Sequence, residues 1–76
     1  MQEGTLAGDP PLRLTPRERD VLELLAGGLR PEEIATRLEI GCETVRSHVR
    51  NASQRLGAAN STQAVAIAIR RRLIRV

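Results

Sequence analysis

Apolar residues fall in four stretches along the chain, and in three of them the spacing is that of a helix face at ~100° per residue. Val21, Leu22 and Leu25 share one side, with Leu24 at its margin. Ile34, Ala35 and Leu38 repeat the pattern over a shorter span, and Val45, Val49, Ala52 and Leu56 extend it over a longer one. The boundaries carry their own signals. Thr15-Pro16-Arg17-Glu18 is a capping box with proline at the first helical position, so a helix is predicted from about Pro16 to Ala26, ended by Gly27-Gly28. Pro31 opens a second, very short helix, which Glu39-Ile40-Gly41 interrupts. A third runs from about Cys42 to Leu56 and stops at Gly57. The fourth stretch is ambiguous, because Ala64-Val65-Ala66-Ile67-Ala68-Ile69 alternates as a strand would. Asn60 with Gln63 three residues on makes a helix start, and the alanines and the lack of a partner strand also predict a helix. The pattern is therefore all-α with four helices.

Composition narrows the partners. The core must be built from Leu, Ile, Val and Ala, since Trp, Tyr and Phe are absent. That absence argues against RNA and single-strand readers, which stack bases on aromatic rings. Up to Glu43 there are five arginines against nine carboxylates; after it come Arg46, Arg50, Arg55, Arg70, Arg71, Arg72 and Arg75 with no carboxylate among them. A net charge of +3 thus conceals a strongly cationic C-terminal half, and nucleic acid is the first partner to consider. All twelve basic residues are arginine, a choice that genome composition explains as readily as phosphate or guanine recognition. The single Cys42 cannot form an internal disulfide, and no apolar run approaches the ~20 residues of a membrane helix, so a cytoplasmic protein is expected. Residues 1–13 hold two glycines and Pro10-Pro11 without apolar periodicity, and are expected to be a flexible leader or linker remnant before a domain over residues 14–76.

The short second helix, the three-residue break and the long third helix form a helix-turn-helix pattern. Ala35 allows a close crossing, Ile40 plugs the turn, and Ile34, Leu38 and Val45 lock the pair. The opposite face of the third helix then stays free. It carries Glu43, Arg46, Ser47, Arg50, Asn51 and Gln54, donors and acceptors suited to base edges and phosphates in a major groove.

From Leu14 to about Ile74 the chain resembles a LuxR-type helix-turn-helix, the four-helix DNA-binding domain of bacterial response regulators and quorum-sensing regulators. The resemblance rests on Leu14-Thr15-Pro16-Arg17-Glu18-Arg19, Gly28-Leu29, Glu33-Ile34-Ala35, Leu38, Thr44-Val45-Arg46-Ser47-His48-Val49, Leu56-Gly57 and Thr62-Gln63-Ala64-Val65. It implies a sequence-specific transcriptional regulator that binds double-stranded DNA, usually as a homodimer on an inverted repeat, with the fourth helix at the dimer contact. Residue by residue, Arg46, Ser47 and Arg50 resemble the groove-facing positions, and Thr44, Asn51 and Arg55 the backbone-touching ones. The chain departs from the family pattern at Arg30-Pro31-Glu32, which lacks the usual cap and basic residue; at Glu39, where glycine is common; and at Gly41, which replaces a serine cap. The expected role of Glu43 is to complement the helix dipole, ahead of accepting a hydrogen bond from cytosine.

Other readings are weaker. Cys42 and His48 are the only members of their types and lie ~120° apart around one helix, so no catalytic or metal set is evident and no enzyme or cofactor is expected. His48 is assigned to packing and Cys42 to the helix start, and the Arg70-Arg71-Arg72 run to a solvated helix end. On the fourth helix, Val65, Ala68 and Ile69 are taken as the core ridge, leaving Ile67 and Ile74 as a weak homodimer contact. The alternative from another class is a protein-interaction helix-turn-helix, such as an RNA polymerase adaptor, for which Glu32 and Glu43 on the presumed DNA side are the best support.

Overall fold

The computed structural model describes residues 13–75, so the leader expected over residues 1–13 falls outside the described residues but for Arg13. Four helices follow in order: α1 (Pro16–Ala26), α2 (Pro31–Leu38), α3 (Cys42–Leu56) and α4 (Ser61–Arg70). Among the described residues there is no strand. The start of α1 is the expected capping box: Thr15 Oγ1 accepts from the Glu18 N–H at 3.1 Å and the Thr15 N–H donates to Glu18 Oε1 at 3.0 Å. At α4, Asn60 Oδ1 accepts from the Gln63 N–H at 2.8 Å. This bond, with the alanines behind it, resolves the ambiguous apolar run as a helix.

All four helices end in one device, a left-handed residue after the last turn that lets the next N–H reach back five positions. The returning bonds are Leu29 N–H to Leu24 O at 3.1 Å, Ile40 to Ala35 at 3.0 Å, Ala58 to Ser53 at 2.8 Å and Leu73 to Ala68 at 2.8 Å. Each donor is apolar and folds onto the core. The left-handed residue is Gly28 and Gly57 in two helices, but Glu39 (φ 59°) and Arg72 (φ 59°) in the others. A side chain in that region strains the backbone by about 1–2 kcal/mol, part of which glycine returns through its looser unfolded state. Glu39→Gly is therefore expected to stabilise the domain by roughly 0.5–1 kcal/mol. A thermal melt should show a rise of several degrees; an unchanged melting temperature would mean the turn carries no strain.

The core divides into two clusters. Val21, Ile34, Ala35 and Val45 join α1, α2 and α3, while Leu22, Ala52, Leu56, Ala64, Ala68 and Ile74 join α1, α3 and α4. Adjacent residues of α1 thus serve different clusters. Val21, Leu22, Ile34 and Val45 are fully buried, each contributing about 1.5–3 kcal/mol of transfer free energy. α3 packs on all three other helices, whereas α2 and α4 do not touch. The long third helix is the beam on which the domain is assembled.

At the C-terminal end the structure corrects the expected faces. The core ridge of α4 is Ala64 and Ala68, both fully buried, with Val65 and Ile67 half-buried beside it, whereas Ile69 is 38% exposed. The small alanines let the helix approach closely, so the large Ile69 is displaced outward. Ile74, expected at a dimer contact with Ile67, is only 6% exposed and belongs to the monomer's own core. Its position follows from the turn at Arg72, which reverses the chain after α4 so that Ile74 no longer lies on that helix's face.

Candidate nucleic-acid interface

α3 presents its inner side through Val45, Ala52 and Leu56, with Cys42, His48 and Val49 half-buried at its edges. Directly opposite, Glu43, Ser47, Arg50 and Gln54 follow one another at intervals of four, three and four residues and form the outermost ridge. Arg46 and Ser53 lie on one shoulder of that ridge, and Thr44, Asn51 and Arg55 on the other. Thr44, Arg46, Arg50 and Asn51 are exposed and Ser47 is half-buried. The structure therefore brings Thr44, Arg46, Ser47, Arg50 and Asn51 to the outward side of α3, whereas Arg55, at the margin of that side, turns its guanidinium to an internal partner. The shoulder of Arg46 and Ser53, with Arg50 of the ridge, borders a groove of about 360 Å³, whose apolar wall includes Leu25, Pro31, Val49 and Ala59.

Charge on this face is not uniform. Arg46 Nη1 lies 3.6 Å from Glu43 Oε2, an exposed pair one turn apart that is worth at most about 1 kcal/mol. Arg55 is held differently. Its Nη1 donates to Glu18 Oε1, a carboxylate on α1 that is 3% exposed. The same oxygen accepts the Thr15 N–H, so the cap of α1 and the last turn of α3 share one buried anion. The resemblance places Arg55 at the DNA backbone; the structure gives its guanidinium an internal partner as well. Sequence reading assigned Glu18 to the cap alone, because nothing in local spacing marks a partner 37 residues away.

At the start of α2, the Arg30 side chain has no acceptor to offer, so only half a capping box exists: the Arg30 N–H donates to Glu33 Oε1 at 2.7 Å. Glu32 is exposed beside it. α3 begins at Gly41 without a side-chain cap bond, as the missing serine implies. Among the described residues no group of His, Cys, Asp and Glu side chains could hold a metal ion. No helix among them is long and apolar enough to cross a membrane.

Comparison with known proteins agrees with this geometry. Residues 12–68 match the family model for bacterial regulatory proteins of the luxR family. The chain is 45% identical over 65 residues to the transcriptional activator protein BjaR1 of Bradyrhizobium diazoefficiens, covering 86% of this chain and 27% of that protein. It is 50% identical over 52 residues to the spore germination protein GerE of Bacillus subtilis, covering 68% of this chain and 70% of that protein. It thus spans about a quarter of BjaR1 but most of GerE. Among solved structures, the transcription factor GerE aligns with a TM-score of 0.78 at 34% identity, over 82% of this chain and 92% of that one. The Vibrio cholerae VqmA–ligand–DNA complex aligns with a TM-score of 0.75 at 33% identity, over 83% of this chain and 28% of that one.

Proposed function

The chain belongs to the luxR family of bacterial regulatory proteins, and on that premise we propose that it regulates transcription by sequence-specific binding of double-stranded DNA, with α3 in the major groove. The observation that carries the reading is the outer side of α3: a ridge and two shoulders of donors and acceptors, cationic on balance, on a helix whose inner side is anchored to every other element. The groove of B-DNA admits one helix, and α3 is the helix with a long free face. Arg46, Ser47 and Arg50 are the base-facing residues of this reading; Thr44, Asn51 and Arg55 face phosphates. The adaptor reading is not favoured, because the similar proteins include a transcriptional activator, a transcription factor and a VqmA–ligand–DNA complex.

Two copies on an inverted repeat are the assembly we propose, since a two-fold protein pair matches a two-fold site. A VqmA dimer is among the similar solved structures, with a TM-score of 0.80 at 32% identity. With Ile74 buried, the large apolar side chain that α4 leaves exposed is Ile69, while the half-buried Ile67 lies ~200° away around the helix.

Selection from a random duplex library tests the reading directly, and enrichment of a two-half-site motif is expected. Arg46→Ala and Arg50→Ala are each expected to cost about 1–3 kcal/mol of discrimination at one or two base positions of that motif. Equal loss on every sequence, with the slope of log affinity against log salt shallower by about 0.9, would instead assign that arginine to phosphate alone.

A further inference from the structure

Resting on the placement of α3 in the major groove, we propose that Glu43 is a specificity-determining residue whose carboxylate reads cytosine. Glu43 heads the outer ridge of α3, directly N-terminal to Ser47 and Arg50 along it. The N-terminal residues of a recognition helix are those that contact base edges, so this ridge position meets the base pairs. Its side chain is 87% exposed, and α3 begins at Gly41 without any side-chain cap bond. The carboxylate is therefore not consumed by the fold.

The chemistry at that position is selective. Glu43 is the last carboxylate of the chain and stands in an otherwise cationic face. Against phosphates it would only repel. Against base edges it is repelled by guanine O6 and N7 and by thymine O4, and adenine sets an N7 acceptor beside its amino donor. Cytosine alone carries a major-groove amino donor with no acceptor on the same base, so N4 is the group that offsets the carboxylate's desolvation. Specificity of this kind comes as much from rejecting the other bases as from the bond itself. Arg46, 3.6 Å away, completes the match. An acceptor and a donor side by side are complementary to a C·G pair, where cytosine N4 lies next to guanine O6. The ion pair holds Arg46 near that position before DNA arrives.

The test is duplex selection by the wild type, Glu43→Ala and Glu43→Gln at one salt concentration, with thermal melts of each protein. The wild-type motif should contain a C·G pair that Glu43→Ala renders degenerate, lowering discrimination there by roughly tenfold or more. Glu43→Gln should turn that position toward adenine, whose N6 and N7 a primary amide matches. Affinity for unrelated duplexes should rise in both variants as a repulsive charge leaves. An unchanged motif in Glu43→Ala would overturn the proposal, and a lower melting temperature alongside it would assign Glu43 to the helix dipole alone. A wild type that retains duplex without enriching any motif would overturn the underlying reading of α3 as well, an outcome distinguishable from the variants' behaviour.

Discussion

Leu22→Ala is expected to cost about 2–5 kcal/mol and to leave much of the domain unfolded at physiological temperature. Leu22 is fully buried in the cluster that joins α1, α3 and α4, and three of its five buried companions there are alanines. Leu56 and Ile74 are its other large buried members, with Leu14, Leu25, Val65, Ile67 and Leu73 packed at the margin, and how far these relax into the space that Leu22 leaves sets the cost within that range. The alanines are fixed in place by close helix approach, and the chain has no aromatic residue to stiffen the cluster. At about 0.05–0.15 kcal/mol per residue, a chain of 76 residues has roughly 4–11 kcal/mol to lose. A far-UV circular dichroism melt should show the midpoint lowered by about 8–40 °C, given roughly 4–8 °C per kcal/mol in domains of this size. A shift of only a degree or two would show that α4 contributes little to the fold. Duplex DNA in excess should recover part of the loss, because it binds the folded state alone.

The second large effect belongs to Arg55. Arg55→Ala removes the charged partner of Glu18 and leaves a carboxylate that is 3% exposed with the Thr15 N–H as its remaining donor. Breaking a buried pair in this way costs several kcal/mol; because the Arg55 side chain is itself 40% exposed, about 2–3 kcal/mol is expected. Glu18→Ala should cost less, about 1–2 kcal/mol, although it also removes half of the capping box, because the freed guanidinium can turn to water. The double variant should then be more stable than the sum of the singles predicts, which chemical denaturation of all four proteins can measure. The function is coupled to this bond. It ties the last turn of α3 to the first turn of α1, so it sets the recognition helix against the rest of the domain. Because Arg55 also faces a phosphate in the proposed complex, its replacement should in addition make the salt slope shallower by about 0.9, and an unchanged melting temperature would show that the bond to Glu18 carries no stability.

The helices were legible in the sequence because their causes are local. A capping box needs residues three apart, a helix face needs a period of 3.6, and a terminating residue acts on the turn just before it. Those signals placed α1 at Pro16–Ala26 and α3 at Cys42–Leu56, while the family resemblance, with glycine common at that turn, marked Glu39 as a left-handed position. The free side of α3 was legible for the same reason, since a stripe of Val45, Ala52 and Leu56 leaves only one opposite face. The missing caps at Arg30 and Gly41 showed as departures from the family pattern.

Three features needed the tertiary structure. Reading α4 by hydrophobicity gave Val65, Ala68 and Ile69 as the core ridge; Ala68 holds that place, but Ala64 joins it and Ile69 is exposed, because the distance of closest approach between helices rewards small side chains. Ile74 looked available to a partner until the reversal at Arg72 returned it to the interior. The Glu18–Arg55 bond joins residues whose separation has no period. In each case the deciding contact lies between segments that only the packed chain brings together. Helix limits and the candidate DNA face were thus properties of short stretches of residues, whereas the inner faces of the helices and the anchoring of α3 were set by which surfaces could approach one another.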